Sequence, residues 1–423
     1  MQHNLKRTFL AVSLSLAIAP VAYATNGMAP TGIGQIHKAM GGAAVANPEN
    51  TTSIATNPAS VTAISNGYDV ELELFAPNRT VYKKAELGAA KYNGNADSLF
   101  FIPGGGYKKS INEKLSFGVA VYGNGGMNTK FKNGPEMPNN LGGVVPFSAS
   151  GAKSGINLEQ LFIAPTLGVK LNDKHSIGIS ANVIYQTFKA YGIGNLAGFS
   201  ADGAHFSGNG KASATGIGAT VGWLGQINDE FSVGASYRMK TKMGRFKEYA
   251  GLFPDQGRMD VPAALTVGVS GQVSPKTKIA FDIQQIYYAD TRAVGNASNK
   301  TDKNGNPMPF GSNNGPGFGW NNQTVFKFGI KHQKSPRLAL MGGFNYGDSA
   351  VGSDSTFFGS LAPGVVEAHA SLGFEYKLNK TSKLLGSYRH AFSNKVKGDL
   401  SQGQFLDLEM EQNAIGIGYS KQF

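Results

Sequence analysis

Ala414-Ile415-Gly416-Ile417-Gly418-Tyr419-Ser420-Lys421-Gln422-Phe423 ends the sequence. Ile415, Ile417 and Tyr419 alternate with small or polar residues, the period of two of a strand with one apolar face. The final Phe423 is the aromatic ending usual in barrels inserted into an outer membrane, so such a barrel is the expectation. The same alternation recurs upstream. Leu115, Phe117, Val119 and Val121 oppose Ser116, Gly118 and Ala120. Ile177, Ile179, Ala181, Val183 and Tyr185 oppose Ser176, Gly178, Ser180 and Asn182. Phe231, Val233, Ala235 and Tyr237 oppose Ser232, Gly234, Ser236 and Arg238, and Ile279, Phe281 and Ile283 oppose Ala280, Asp282 and Gln284.

Short polar turns punctuate these runs at Asn112-Glu113-Lys114, Asn172-Asp173-Lys174, Asn228-Asp229-Glu230, Ser274-Pro275-Lys276, Lys334-Ser335-Pro336 and Asn379-Lys380-Thr381. Their spacing leaves room for two strands and one long loop each. Strands are therefore expected at 69–81, 97–109, 115–125, 157–171, 175–189, 213–227, 231–243, 261–273, 278–290, 321–332, 337–347, 365–378, 382–393 and 407–423. Fourteen is an even number with both ends on the short-turn side, as single-chain bacterial barrels require. Half-buried strands of a soluble sandwich also alternate, but they do not keep short turns at one end and long loops at the other. The expected fold is all-β, a 14-stranded antiparallel transmembrane β-barrel.

Breaks in the pattern carry information too. Leu406, Leu408 and Met410 lie on the face opposite Ile415 and Ile417. The last strand therefore either bulges near Asn413 or sends apolar side chains inward, which suits a water-filled lumen badly. The loops 126–156, 191–212, 244–260 and 291–320 carry Leu141, Val144-Val145-Pro146-Phe147, Leu196, Phe199 and Leu252-Phe253. These are expected to be exposed apolar clusters that bind hydrophobic matter or touch the membrane.

Ahead of the strands the character differs. Asn26 to Ile64 is dense in Gly and Ala, with neither strand alternation nor helix-bundle bulk, and Asn57-Pro58 reads as a turn. Such a segment suits enclosure by other structure, so residues 25–66 are expected to plug a barrel formed by 67–423. Residues 1–24 read as a secretory signal. Lys6-Arg7 are its positive start, Phe9 to Ile18 its apolar core and Ala22-Tyr23-Ala24 its cleavage site. No other run approaches the ~20 apolar residues of a transmembrane helix.

Hydrophobic residues make up 41%, and 57 glycines stand beside 26 Phe and 16 Tyr, a balance that fits a membrane barrel better than a packed soluble domain. The absence of cysteine fits an exported bacterial protein that uses no disulfides. The formal charge of +12 comes from Lys and Arg spread along the chain. That spread argues against nucleic acid and for a positive lumen or rim facing anionic solutes or lipopolysaccharide.

With barrel and plug both in hand, the sequence resembles the FadL-like (OMPP1/FadL/TodX) family of outer membrane transporters of long-chain fatty acids and other hydrophobic compounds. The resemblance rests on Thr31-Gly32-Ile33-Gly34, Ala39-Met40-Gly41-Gly42-Ala43 and Asn57-Pro58-Ala59 in the plug. It continues in Tyr122-Gly123-Asn124-Gly125-Gly126-Met127-Asn128-Thr129, in Asn157-Leu158-Glu159-Gln160-Leu161-Phe162-Ile163-Ala164-Pro165, and in Gly315-Pro316-Gly317-Phe318-Gly319-Trp320 followed by Gln323-Thr324-Val325-Phe326-Lys327. The resemblance implies a fourteen-stranded barrel closed by an N-terminal hatch in the outer membrane of a Gram-negative bacterium. It implies passive uptake, from a groove between extracellular loops to an inner pocket and then sideways through a gap in a kinked wall. Rearrangement of the hatch, including the segment matching Asn57, Pro58 and Ala59, would open that route.

A fatty acid needs an apolar slot for its tail and a cation for its carboxylate. Strand phase turns Arg238, Lys327 and Arg389 inward, together with Asp282, Glu367 and Glu375, and these charges would equally make a salt-bridge lattice bracing the barrel. Met28 stands where the family's N-terminus meets ligand. Long-chain fatty acids are the leading cargo, and aromatic or aliphatic hydrocarbons the alternative. An open porin or a barrel lipase ranks below both. His369-x-Ser371 is a possible base–nucleophile pair on one strand face, but no third orienting group is identifiable, so no enzyme is expected. His37, His175, His205, His332 and His390 lack metal spacing. No cofactor or metal is expected, and the protein is expected to act as a monomer among outer membrane lipids.

Overall fold

The computed structural model describes residues 26–138, 144–148 and 152–423. The expected signal segment and Leu141 lie outside them. Fourteen strands form the wall. They are β1 (Gly67–Lys83), β2 (Phe100–Ser110), β3 (Leu115–Phe131), β4 (Ser154–Lys170), β5 (His175–Tyr191), β6 (Ala212–Gln226) and β7 (Phe231–Arg238). They continue as β8 (Ala264–Ser274), β9 (Thr277–Ile286), β10 (Gln323–Gln333), β11 (Leu338–Gly347), β12 (Ala368–Lys377), β13 (Ser382–Val396) and β14 (Leu406–Gln422). Each pairs antiparallel with its neighbours, and β14 returns to β1 from Gly67↔Gln422 to Lys83↔Leu406, which closes the barrel. Among the described residues no helix is long and apolar enough to cross a membrane.

The alternation becomes an inside and an outside. Val70, Leu72 and Leu74 of β1 and Phe326, Phe328 and Ile330 of β10 are exposed on the outer face, while Asp69, Glu71 and Glu73 point inward and are buried. At the short-turn end Tyr68 packs near Tyr419 at 6.4 Å and Tyr107 near Phe423 at 6.0 Å, part of an aromatic girdle. The turns there repeat one device. The side-chain oxygens of Asn112, Asn172 and Asn228 accept the backbone N–H groups two and three residues on.

Two expectations are corrected, and the alternative left open for the last strand is decided. The strand expected over 231–243 ends at Arg238. Beyond it the chain turns into the lumen, where Thr241 and Met243 lie against the inner faces of Gly218 and Gly216. Met243 and Val261 join a buried cluster with Ile54, Val61, Tyr122 and Phe162. β14 carries no bulge in its pairing with β1, so Leu406, Leu408 and Met410 are buried inward and the register shift falls on β13 after Ala391. Of the loop residues expected to be exposed, Phe147, Leu196, Leu252 and Phe253 are buried, packed together with Phe188, Phe246, Phe318 and Trp320, and Phe199 stays exposed. The outer half of the lumen is thus filled with apolar side chains.

Residues 26–66 lie inside the wall as short pieces, the helix α1 (Gln35–Ala39) and two 3-10 turns, Thr51–Ala55 and Pro58–Thr62. Glycine makes room for them. A Cβ on Gly178 would overlap Pro58 and Ala59, one on Gly234 would overlap Val45, one on Gly329 Met40, and one on Gly343 the backbone of Met40 and Gly41. Many of the excess glycines are therefore sockets in the wall. Gly41 itself has a positive φ of 65° and sits against the backbone of Phe328 and Phe344, where no side chain fits.

Candidate functional site: a cation-lined cavity beside a window in the wall

β2 pairs with β1 along Phe100–Lys108, but with β3 only from Gly105↔Val121 to Ser110↔Ser116. The next tie between these segments is the bridge Asn95↔Lys130. Between the two, Phe100–Gly104 and Tyr122–Thr129 leave an unladdered window. Pro103 helps to make it, since proline has no N–H to give and belongs at an edge. A small cavity at the opening is lined by Ile102, Pro103, Gly104, Tyr122, Gly123 and, from the hatch, Gly32, Ile33 and Gln35.

Arg79 spans the outer part of this window. Buried on β1, it donates from Nη1 to the carbonyl and side-chain oxygens of Asn128 at 2.7 and 2.8 Å, and from Nη2 to the carbonyl of Asp97. It thereby supplies a donor to a β3 carbonyl that has no strand partner there.

On the other side of Gly32 and Ile33 lies a second, narrow cavity lined by Ala29, Ala55, Thr56, Asn124, Arg238 and Lys327 among others. Two of the three expected cations therefore share one chamber. Arg238 donates to Asn124 Oδ1 at 2.6 Å, and among the described residues no carboxylate lies within 4 Å of Arg238 or Lys327. Asp282, cross-strand neighbour of Lys327, is held by the hatch, accepting Ala44 N at 2.7 Å and Val45 N at 3.0 Å on one oxygen. Arg389 is elsewhere. It sits 3.4 Å from Glu73, which also meets Lys38 at 2.9 Å, so this cation belongs to the bracing lattice.

Asn124 is a functional candidate that strand phase did not single out. It occupies the register shift of β3 against β4 between Gly123 and Gly125, and this bulge turns its side chain inward. Next to it Gly126 N donates to Met28 O at 3.3 Å. Met28 is buried in the large apolar cluster, and Tyr288 holds the segment by accepting Ala29 N at 3.1 Å and donating to Asn26 O.

Asn57, Pro58 and Ala59 stand apart from the window, against β5 and β6. Asn57 Nδ2 donates to Val45 O at 2.7 Å and to Trp223 O at 2.9 Å, while its Oδ1 accepts Ala59 N at 3.0 Å. The first of these ties joins two parts of the hatch, and the second ties the hatch to the wall. Ser371 bonds Ala39 O at 3.0 Å and Gly41 N at 3.1 Å, and no hydrogen bond joins it to His369. Its hydroxyl is a hatch anchor. Among the described residues no group of His, Asp or Glu is placed to hold a metal ion.

Solved structures with this architecture include the Pseudomonas putida toluene transporter TodX, at 17% identity over 93% of this chain and 99% of that one with a TM-score of 0.64. The Ralstonia pickettii toluene transporter TbuX is similar at 18% identity over 93% and 99% with a TM-score of 0.60. A Pseudomonas aeruginosa FadL homologue is similar at 13% identity over 94% and 100% with a TM-score of 0.63. At such identities the likeness is one of fold. Among curated protein sequences nothing matches. The sequence model described as "Outer membrane protein transport protein (OMPP1/FadL/TodX)" matches residues 15–423, nearly the whole chain, which therefore belongs to that family of outer membrane transporters of hydrophobic compounds.

Proposed function

We propose that this outer membrane protein, acting as a monomer, takes up long-chain fatty acids, with the carboxylate held between Arg238 and Lys327 and the exit through the β2–β3 window. The observation that carries this reading is the pair of cations lining one chamber with no carboxylate within 4 Å among the described residues, the neighbouring Asp282 being held by the hatch backbone. Two like charges taken from water are costly unless an anion offsets them. A hydrocarbon cargo would give the pair no such partner. A ligand carboxylate at Arg238 competes with Asn124 for the same guanidinium. Releasing Asn124 loosens the β3 bulge at the edge of the window, and displacing Ile33 joins the two cavities. Met28 lies at the outer approach to this chamber.

The test is binding of oleate and methyl oleate to the purified protein. Arg238→Ala and Lys327→Ala should each weaken oleate binding roughly ten- to a hundredfold, the worth of a charge-assisted hydrogen bond of about 1.5–3 kcal/mol, and spare the ester. Equal losses for acid and ester would sink the carboxylate role. A second reading, a monoaromatic hydrocarbon, draws on the density of buried Phe188, Phe246, Phe253, Phe318 and Trp320 and on the toluene carried by TodX and TbuX. It predicts toluene binding that neither substitution alters.

A further inference from the structure

At the outer end of β3, β4 and β5 the outward face changes character. Along β5 the exposed Ile177, Ile179, Val183 and Tyr185 give way to Lys189, and along β4 Leu167 and Ile163 give way to Asn157. Asn128, Asn157 and Lys189 are directly paired across the three strands, and Lys130, Gly155 and Tyr191 form the next row outward. Asn128, Lys130, Asn157, Lys189 and Tyr191, together with Lys153 and Asp97, border an open concavity with about 840 Å³ of space that is continuous with solvent, and Phe100, from the window, forms part of its floor.

Lys130 is matched by Asp97, with both oxygens at 2.8 Å, and Glu159 by Lys211 at 2.9 Å. Lys153 and Lys189 have no carboxylate within 4 Å among the described residues. Two ammonium groups without a carboxylate partner, Lys189 having only the Tyr191 ring 5.8 Å from its Nζ, thus stand just above the apolar belt, at the level of the outer-leaflet headgroups. The rim is not basic all round, since the outward face of β14 carries Glu409 and Glu411 at its outer end. We propose that this concavity binds a phosphate of a lipopolysaccharide headgroup through Lys153 and Lys189, and so holds one glycolipid at the outer lip of the window. This does not depend on which cargo is carried.

The experiment is native mass spectrometry of the full chain released from detergent. It is titrated with bisphosphorylated lipid A, with the same lipid A stripped of both phosphates, and with inorganic phosphate as competitor. Lys153→Glu with Lys189→Glu should weaken binding of the phosphorylated lipid by at least roughly tenfold. The same charge change at the opposite rim, Lys114→Glu with Lys174→Glu, should leave it unchanged. Should the first pair fail to fold, judged by heat-modifiable gel mobility, Lys153→Gln with Lys189→Gln should weaken it severalfold. The stripped lipid should bind wild type no better than it binds the variant, and equimolar phosphate should displace nothing. Wild-type affinity in the folded variant, equal loss in the control pair, equal binding of stripped lipid, or displacement by free phosphate would each overturn the proposal.

Discussion

The hatch meets its wall in two different ways. From β9 round to β1 it is clamped by ion pairs and short hydrogen bonds. Glu49 reaches Lys331 at 2.7 Å, Lys38 reaches Glu73 at 2.9 Å, Asp69 accepts Thr51 N at 2.8 Å and Ser371 bridges Ala39 and Gly41. The strip Thr31–Ile33 is held less firmly. The buried hydroxyl of Thr31 has no hydrogen-bond partner, Ile33 is only half-buried, and cavities lie on both sides of Gly32 and Ile33. Segments that move are drawn from the less tightly bonded parts of a structure. On this contrast the strip is the candidate moving part, set against the gating role expected of Asn57, Pro58 and Ala59, and the measurements below decide between them.

The largest effect should come from immobilising one side or the other. The chain has no cysteine, so an introduced pair is unique. Ile33→Cys with Gly123→Cys, joined by a reducible bifunctional reagent, should abolish fatty acid uptake by cells and restore it on reduction. A link between Ala59→Cys and Ser180→Cys, the next inward-facing position along β5 from the Gly178 socket, should leave uptake intact. Full uptake with the first link formed would show that ligand leaves without movement of the strip.

Next comes loss of the clamp. Gly343→Leu puts a side chain where the backbone of Met40 and Gly41 now lies. The hatch should be displaced and the ionic conductance in a planar bilayer should rise at least about tenfold over the plugged wild type, toward that of a water-filled barrel. A large steady current from the wild type itself would remove the basis of the comparison.

A smaller effect is expected at Pro58, on the anchored side. It opens the 3-10 turn Pro58–Thr62 and rests against the Gly178 socket. Pro58→Ala frees the unfolded segment, which costs the hatch about 0.4–1 kcal/mol. The barrel's ladder does not run through this turn, so thermal unfolding should be unchanged while uptake shifts severalfold at most. Uptake abolished as completely as by the Ile33 link would place the gate at Asn57, Pro58 and Ala59, as the sequence led one to expect.

Much of this was legible in the chain because alternation is local. The fourteen strands follow from it, and so does the inward turn of Leu406, Leu408 and Met410. The window was not located from the sequence, although its signal, Pro103-Gly104-Gly105-Gly106 inside an otherwise regular strand, stands in the chain. The bulge at Asn124 was missed too, though apolar residues that face outward at Val119 and Val121 but inward at Met127 and Phe131 mark the phase change. What could not be read was pairing at long range. Arg389 and Lys327 have the same phase, and only the fold brings Glu73, 316 positions away in sequence, to Arg389 and not to Lys327. Nor does composition tell a glycine that seats a hatch from one that merely suits a membrane wall.

The smallest expected effect lies in the loops that close the lumen from outside, and it separates them from both parts of the hatch. Asp255 accepts Asn314 N at 3.0 Å and faces Arg292 at 2.9 Å, which joins the loop after β7 to the loop after β9. Burial pushes its carboxyl up, but the Asn314 N–H and the Arg292 guanidinium outweigh that and hold it below the usual carboxylate range. A depressed folded value means that the tie is fully present above the unfolded carboxylate pKa of about 3.9 and is lost as pH falls through the lower folded value. Hydrogen exchange over residues 250–260 and 310–316 should therefore be flat from neutral pH down to about 4, after correction for intrinsic rates, and should rise only below it. Asp255→Asn should raise it modestly at every pH and remove the acid step, leaving exchange in α1 unchanged. An acid step that survives in this variant would assign the titration to another group.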